Sequence, residues 1–261
     1  MKLPDRIFGI STQEAYKKYL EESKQKKETS KVTSKQSGQP LEIKATITLS
    51  DYIQIPNTNK LISKEEIHKG LTWEDTHYAL ADNGLFMPSP ALFMPYFLTV
   101  RDAAQGKRTL YDGNHTPLSQ HDAKDLFKYM TSGHRTGCWS WLDATFPKRS
   151  GHNDIETDHR VTTKDGQKTV QGTTSPLESY VDENCFVNLT FNTQGLPTKK
   201  SRSQTYKQGK NIYFWKPNDG RVALFYADYY RARLSCDDDG GDTNAALGVF
   251  ACAEGTPRSK N

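Results

Sequence analysis

Residues 221–251, RVALFYADYYRARLSCDDDGGDTNAALGVFA, constrain this chain more than any other stretch. Small and apolar residues recur through it as a lattice: Phe225, Ala227, Ala232, Leu234, Cys236, Ala245, Leu247, Gly248 and Val249. Between them stand Tyr226, Asp228, Tyr229, Tyr230, Arg233, Ser235, Asp237, Asp238, Asp239, Asp242 and Asn244. Paratopes use the same residue types, because Tyr supplies rigid contact area and small polar residues supply adaptable hydrogen bonds. The lattice reads as scaffold and the interspersed residues as a contact surface. The plain alternative is an edge hairpin with a polar loop, since acidic, Gly-rich turns and surface tyrosines are common.

An absence narrows the choice. The stretch contains no Lys, Glu, Gln, Trp or Met, although these types fill roughly a fifth of the chain. They are the amino acids that cannot be reached by changing only the adenines of an AAC or AAT codon. Over about residues 212–253 the chain therefore resembles the C-terminal variable repeat of diversity-generating retroelement variable proteins, of the archaeal or archaeal-virus kind. Beyond those residues the resemblance is weak. It implies a C-type-lectin-like α+β fold of the formylglycine-generating-enzyme type, with two short helices around irregular antiparallel sheets. It also implies a ligand-binding protein, not an enzyme, that recognises a protein or cell-surface ligand through a rewritten surface. The variable contact residues are then Tyr226, Asp228, Tyr229, Tyr230, Arg233, Ser235, Asp237, Asp239, Asp242 and Asn244. The lattice should be buried, and Tyr226, Tyr229, Tyr230 and Arg233 exposed.

The rest of the composition fits a loop-rich fold. Only 34% of the 261 residues are hydrophobic and the mean hydropathy is −0.79, but 13 Tyr, 11 Phe and 4 Trp can build a core. A doubly wound α/β domain would need longer Val/Ile/Leu runs. The net charge of +4 does not by itself argue for nucleic acid. No apolar run of signal-peptide length opens the sequence, and the most apolar segment, Leu85 to Val100, is broken by Pro88, Pro90 and Pro95. The expectation is synthesis in the cytoplasm without membrane insertion, followed by virion display or release by lysis.

Taken in order, Ser11 opens the capping box S-T-Q-E before a helix-prone run, and residues 28–40 read as a polar linker. Residues 1–40 thus form a helix and linker, and 41–261 the lectin-like domain. LEIKATITLSDYIQIP alternates like a strand pair. Ser63 (S-K-E-E), Thr72 (T-W-E-D) and Ser119 each predict a helix start, while the prolines of GLFMPSPALFMPYFLTV predict core-lining loop and strand. GCWSWLDATF, CFVNLTF and NIYFWK read as strands, and residues 147–183 as a long excursion or hairpin.

Motifs for catalysis are missing. No P-loop, G-x-G-x-x-G, H-E-x-x-H or G-x-S-x-G pattern occurs. In HNDIETDH, the residues His152, Asp154, Asp158 and His159 have the types of a metal site, but a polar loop without helical register reads as solvated surface. His134 and Cys138 lie close without a third partner to orient them. Cys138, Cys185, Cys236 and Cys252 lack C-x-x-C spacing and read as free thiols, so neither a metal nor another cofactor is expected. The acidic run from Asp237 to Asn244 fails the EF-hand pattern because its twelfth position is Gly248. Three alternatives stay open: a calcium-dependent, sugar-binding lectin module on that loop, an oxidase using Cys236 and Cys252, and a nucleic-acid module on the basic stretches 17–35 and 199–210.

Overall fold

A computed structural model of the chain describes residues 6–7, 10–11, 41–43, 47–132, 137–148, 154–228 and 231–257. It divides into two compact units, Met1–Ser37 and Gly38–Asn261. In the first, β1 (Arg6–Ile7) and β2 (Ile10–Ser11) pair antiparallel. The helix expected after Ser11 lies outside the described residues.

The second unit begins with β3 (Leu41–Ile43), β4 (Tyr52–Gln54) and β5 (Lys60–Ile67), followed by α1 (Trp73–Asp82), α2 (Pro90–Ala104) and α3 (Gln120–Thr131). Strands β6 (Trp139–Phe146), β7 (Asp154–Lys164), β8 (Gln167–Pro176), β9 (Cys185–Asn188), β10 (Asn211–Trp215), β11 (Arg221–Ala227), β12 (Ala232–Asp238) and β13 (Val249–Pro257) complete it. The larger sheet runs β8-β7-β6-β11-β12-β10-β9 and the smaller β3-β13-β5-β4. The fold is α+β. Two details differ from the expectation: the described residues contain three α-helices, and β10 runs parallel to β12, so the large sheet is mixed.

Local signals held where tertiary structure agreed with them. Thr72 and Ser119 accept hydrogen bonds from the backbone N–H of Asp75 and Asp122 and cap α1 and α3. The proline-rich stretch, in contrast, is the 15-residue helix α2. Pro90 sits in its first turn, where no N–H is needed; Pro95 lies inside and leaves the Ala91 carbonyl without its helical partner. Phe93, Met94, Tyr96, Phe97 and Val100 are fully buried. At about 1.5–3 kcal/mol each, their burial outweighs the ~3 kcal/mol of an interior proline. The Ser63 signal also gave way. Its segment is strand β5, held between β4 and β13, and the Ser63 hydroxyl accepts from Ala251 N instead of capping a helix.

Both faces of the large sheet are packed. Phe225, Leu234, Phe214 and Leu142 face α2 and α3, where the Phe225 ring lies 5.0 Å from Phe93 and 5.2 Å from Phe97. Residues one position along, Leu224 and Trp141, point the other way and pack with Trp73, Leu247 and Val249. Gly248 stitches the sheets: its carbonyl accepts from Trp141 N and its N–H donates to Trp139 O. A Cβ there would stand 2.9 Å from the Ile67 carbonyl, so the close approach requires glycine.

Candidate functional site

Strand register builds a continuous row of side chains across five strands. Phe186 pairs with Tyr213, Tyr213 with Arg233, Arg233 with Tyr226, and Tyr226 with Trp139. Directly opposed residues share a face, so these side chains form a ladder over β9, β10, β12, β11 and β6. All five are half-buried.

The ladder is cross-braced. Trp139 and Tyr226 lie 4.8 Å apart between centroids, and Phe186 meets Tyr213 edge-on at 5.1 Å. The Arg233 guanidinium sits 5.0 Å from the Tyr226 ring centre, donates to the Tyr226 hydroxyl at 3.0 Å and pairs with Asp228. Arg231 lies 4.3 Å over Tyr213. Burial pushes the Tyr226 phenol above its ordinary pKa, partly countered by Arg233. Glu66 fixes the far end by accepting from Trp139 N at 2.6 Å and from the Tyr129 hydroxyl, also at 2.6 Å.

The contact residues expected from the sequence fall into two groups on this framework. Tyr226, Asp228 and Arg233 belong to the ladder and its edge. Asp237, Asp239, Asp242 and Asn244 lie at the other end of β12 and on the loop beyond it, where Asp239, Asp242 and Asn244 are exposed. Arg233 and Asp237 are about 13 Å apart along the strand. Ser235, between them, is 4% exposed and is not a surface residue. Its cross-strand partners Trp215 and Leu224 flank it, and the cluster around Trp141 and Leu247 fills that face. Tyr229 and Tyr230 lie outside the described residues. Lattice residues Phe225, Ala227, Ala232, Leu234, Cys236, Leu247 and Val249 are each 0% exposed, and Gly248 is buried.

The loop holds its own shape. Asp239, Asp242 and Asn244 accept from the backbone N–H of Gly241, Asn244 and Ala246, and the Gly240 carbonyl accepts from Trp73 N. Arg221 reaches toward Asp237 and Asp239 at 3.8 and 3.7 Å. Burial raises the pKa of the Asp238 carboxyl.

Sequence reasoning placed Trp139, Phe186, Tyr213 and Trp215 on strands without singling them out as contact residues, and missed Arg231. Alternation within CFVNLTF and NIYFWK was the available signal; the pairing that lines the rings up was not visible.

A second convergence lies beneath Trp73. His77 of α1, Asp143 of β6 and His159 of β7 are 4%, 3% and 6% exposed, with one donor atom from each within 4.8 Å of the others. His159, read as solvated, is therefore buried, because β7 folds its side chain inward to bond Asp143 through Nδ1 at 2.5 Å. Asp154 and Asp158 do not join it, and His152 lies outside the described residues. His134 is outside them too, while Cys138 is fully buried and its thiol is pushed well above its usual pKa. Among the described residues no helix is long and apolar enough to cross a membrane. No family model, curated protein or solved structure matches the chain.

Proposed function

We propose that this is a non-catalytic ligand-binding protein of the diversity-generating retroelement type, on a C-type-lectin-like scaffold, recognising a protein or cell-surface ligand. One observation carries the reading. Within residues 221–251 every lattice side chain except Ala245, which is exposed on the acidic loop, is buried, whereas Tyr226, Asp228, Arg233, Asp237, Asp239, Asp242 and Asn244 all reach the surface at least in part. A sequence rewritten at those positions leaves the core atoms untouched. Aromatic and Arg side chains held in partly buried settings are also the commonest interface hot spots.

The alternatives draw less support. Cys236 and Cys252 are fully buried with raised pKa values, unlike a reactive thiolate pair. The acidic loop spends side-chain oxygens on its own backbone, and no three of its carboxylates converge among the described residues.

Two tests bear on the proposal. The DNA around the gene should hold an adenine-rich near-repeat of codons 221–251 and a reverse transcriptase gene; finding neither overturns the family reading. Separately, a library varied at Tyr226, Arg233, Asp237, Asp239, Asp242 and Asn244 should be panned against an immobilised folded protein. Binders should differ at these positions, and enrichment that ignores them would refute the surface assignment.

A further inference from the structure

We propose that His77, Asp143 and His159 form a site for a single divalent metal ion of the zinc class. Two imidazole nitrogens and a carboxylate oxygen are a common zinc donor set, and they come from three elements, α1, β6 and β7. The separations bracket what is needed: His77 Nε2 stands 3.7 Å and His159 Nδ1 2.5 Å from Asp143 Oδ1, whereas ligand atoms around tetrahedral zinc lie about 3.3 Å apart, so the His159–Asp143 hydrogen bond would open by roughly 0.8 Å to admit an ion.

A second, independent observation points to a missing ligand. His77 Nε2 is buried and has no hydrogen-bond partner among the described residues. A buried polar atom in a native fold normally has one. Trp73 covers the site, its ring 4.2 Å from His77 and 4.8 Å from His159.

Outer contacts fit the same role. His159 N donates to Asp143 Oδ2 at 3.0 Å, which orients the carboxylate and leaves Oδ1 facing the two rings. With His159 Nδ1 on an ion, the ring proton would sit on Nε2, where Glu156 Oε1 lies 3.9 Å away, near enough for charge attraction but beyond direct hydrogen-bond reach. Such an ion would clamp α1 to the large sheet directly below Trp73, whose N–H holds Gly240 of the acidic loop.

The test is cobalt and zinc titration of the full-length, chelator-stripped protein. The expected result is one equivalent of Co²⁺ with visible ligand-field bands, displaced by Zn²⁺, and a Tm raised by Zn²⁺. H77Q should weaken binding by more than the roughly 10–100-fold that loss of an outer-shell partner costs. D239N and D242N should leave it unchanged. Failure of the wild type to take up an equivalent, or equal binding by H77Q, overturns the proposal. Should H77Q not fold, imidazole ¹⁵N shifts of the wild type on adding Zn²⁺ decide: movement at His77 and His159 but not at His115 and His121 supports the site, and the reverse refutes it.

Discussion

Replacing Arg233 by Ala tests whether the ladder is pre-organised or a loose collection of surface side chains. Its side chain is only 15% exposed, donates to the Tyr226 hydroxyl, lies 5.0 Å from the Tyr226 ring centre and pairs with Asp228. A hydrogen bond from a charged group contributes about 1.5–3 kcal/mol. The cation–π contact adds about 0.5–2 kcal/mol. The Asp228 pair is partly solvated and is discounted to under about 1 kcal/mol. Because these terms overlap, R233A should cost about 2–4 kcal/mol. The triple variant D239A/D242A/N244A removes polar atoms that bond local loop N–H groups and one exposed ion pair of Asp239 with Arg221, so each change should cost about 0.5 kcal/mol or less. Arg233→Lys should fall between, keeping the charge but losing the planar fork. Urea unfolding followed by tryptophan fluorescence gives all three values, provided the m-values agree. If R233A costs less than the loop triple variant, the ladder is not braced and the reasoning fails.

Three further outcomes follow from the packing and the titrating groups. Phe225→Ala, which empties the contact with Phe93 and Phe97, should cost about 3–5 kcal/mol, and a loss below ~1 kcal/mol would show that the lattice does not carry the core. Glu66 has its pKa raised, chiefly by desolvation, so the folded state binds its proton at a pH where the unfolded state does not. Wild type should therefore gain stability relative to Glu66→Gln as the pH falls from 7 toward the ordinary carboxylate range, and the opposite slope would contradict the burial argument. Cys138, Cys236 and Cys252 should resist a thiol reagent until unfolding, while half-buried Cys185 reacts in the native state; native labelling of Cys236 as fast as Cys185 would reopen the oxidase reading.

What the sequence revealed depended on how local each signal was. The caps at Thr72 and Ser119 depend on a hydroxyl and an N–H three residues away, and both helices begin there. Residues 147–183 turned out to contain the hairpin β7–β8, as their polar, turn-rich composition suggested. Pro95 and Ser63 misled because their local preferences were outweighed, in one case by buried rings and in the other by pairing on both strand edges. The ladder and the His77–Asp143–His159 cluster were illegible for a different reason. Their members stand up to 94 positions apart in the chain in the ladder, between Trp139 and Arg233, and up to 82 in the cluster, between His77 and His159, and only the fold brings them together. Ser235 shows the remaining limit. It shares a face with Arg233 and Asp237, and burial along one face is set by what packs above it.

Strand β13 has a consequence for the order in which the fold is completed. It is the central partner of β3 and β5, strands from the start of the same unit, yet it follows residues 221–248 in the chain. The small sheet therefore closes only after residues 221–248 have been translated in frame. A frameshift or stop within that segment would strand β3 and β5 with open edges, and such edges invite aggregation and proteolysis. Contacts this distant in sequence also make closure a late folding event. Completion of the fold thus acts as a reading-frame check: a copy altered within residues 221–248 reaches the native state only when its last strand is intact.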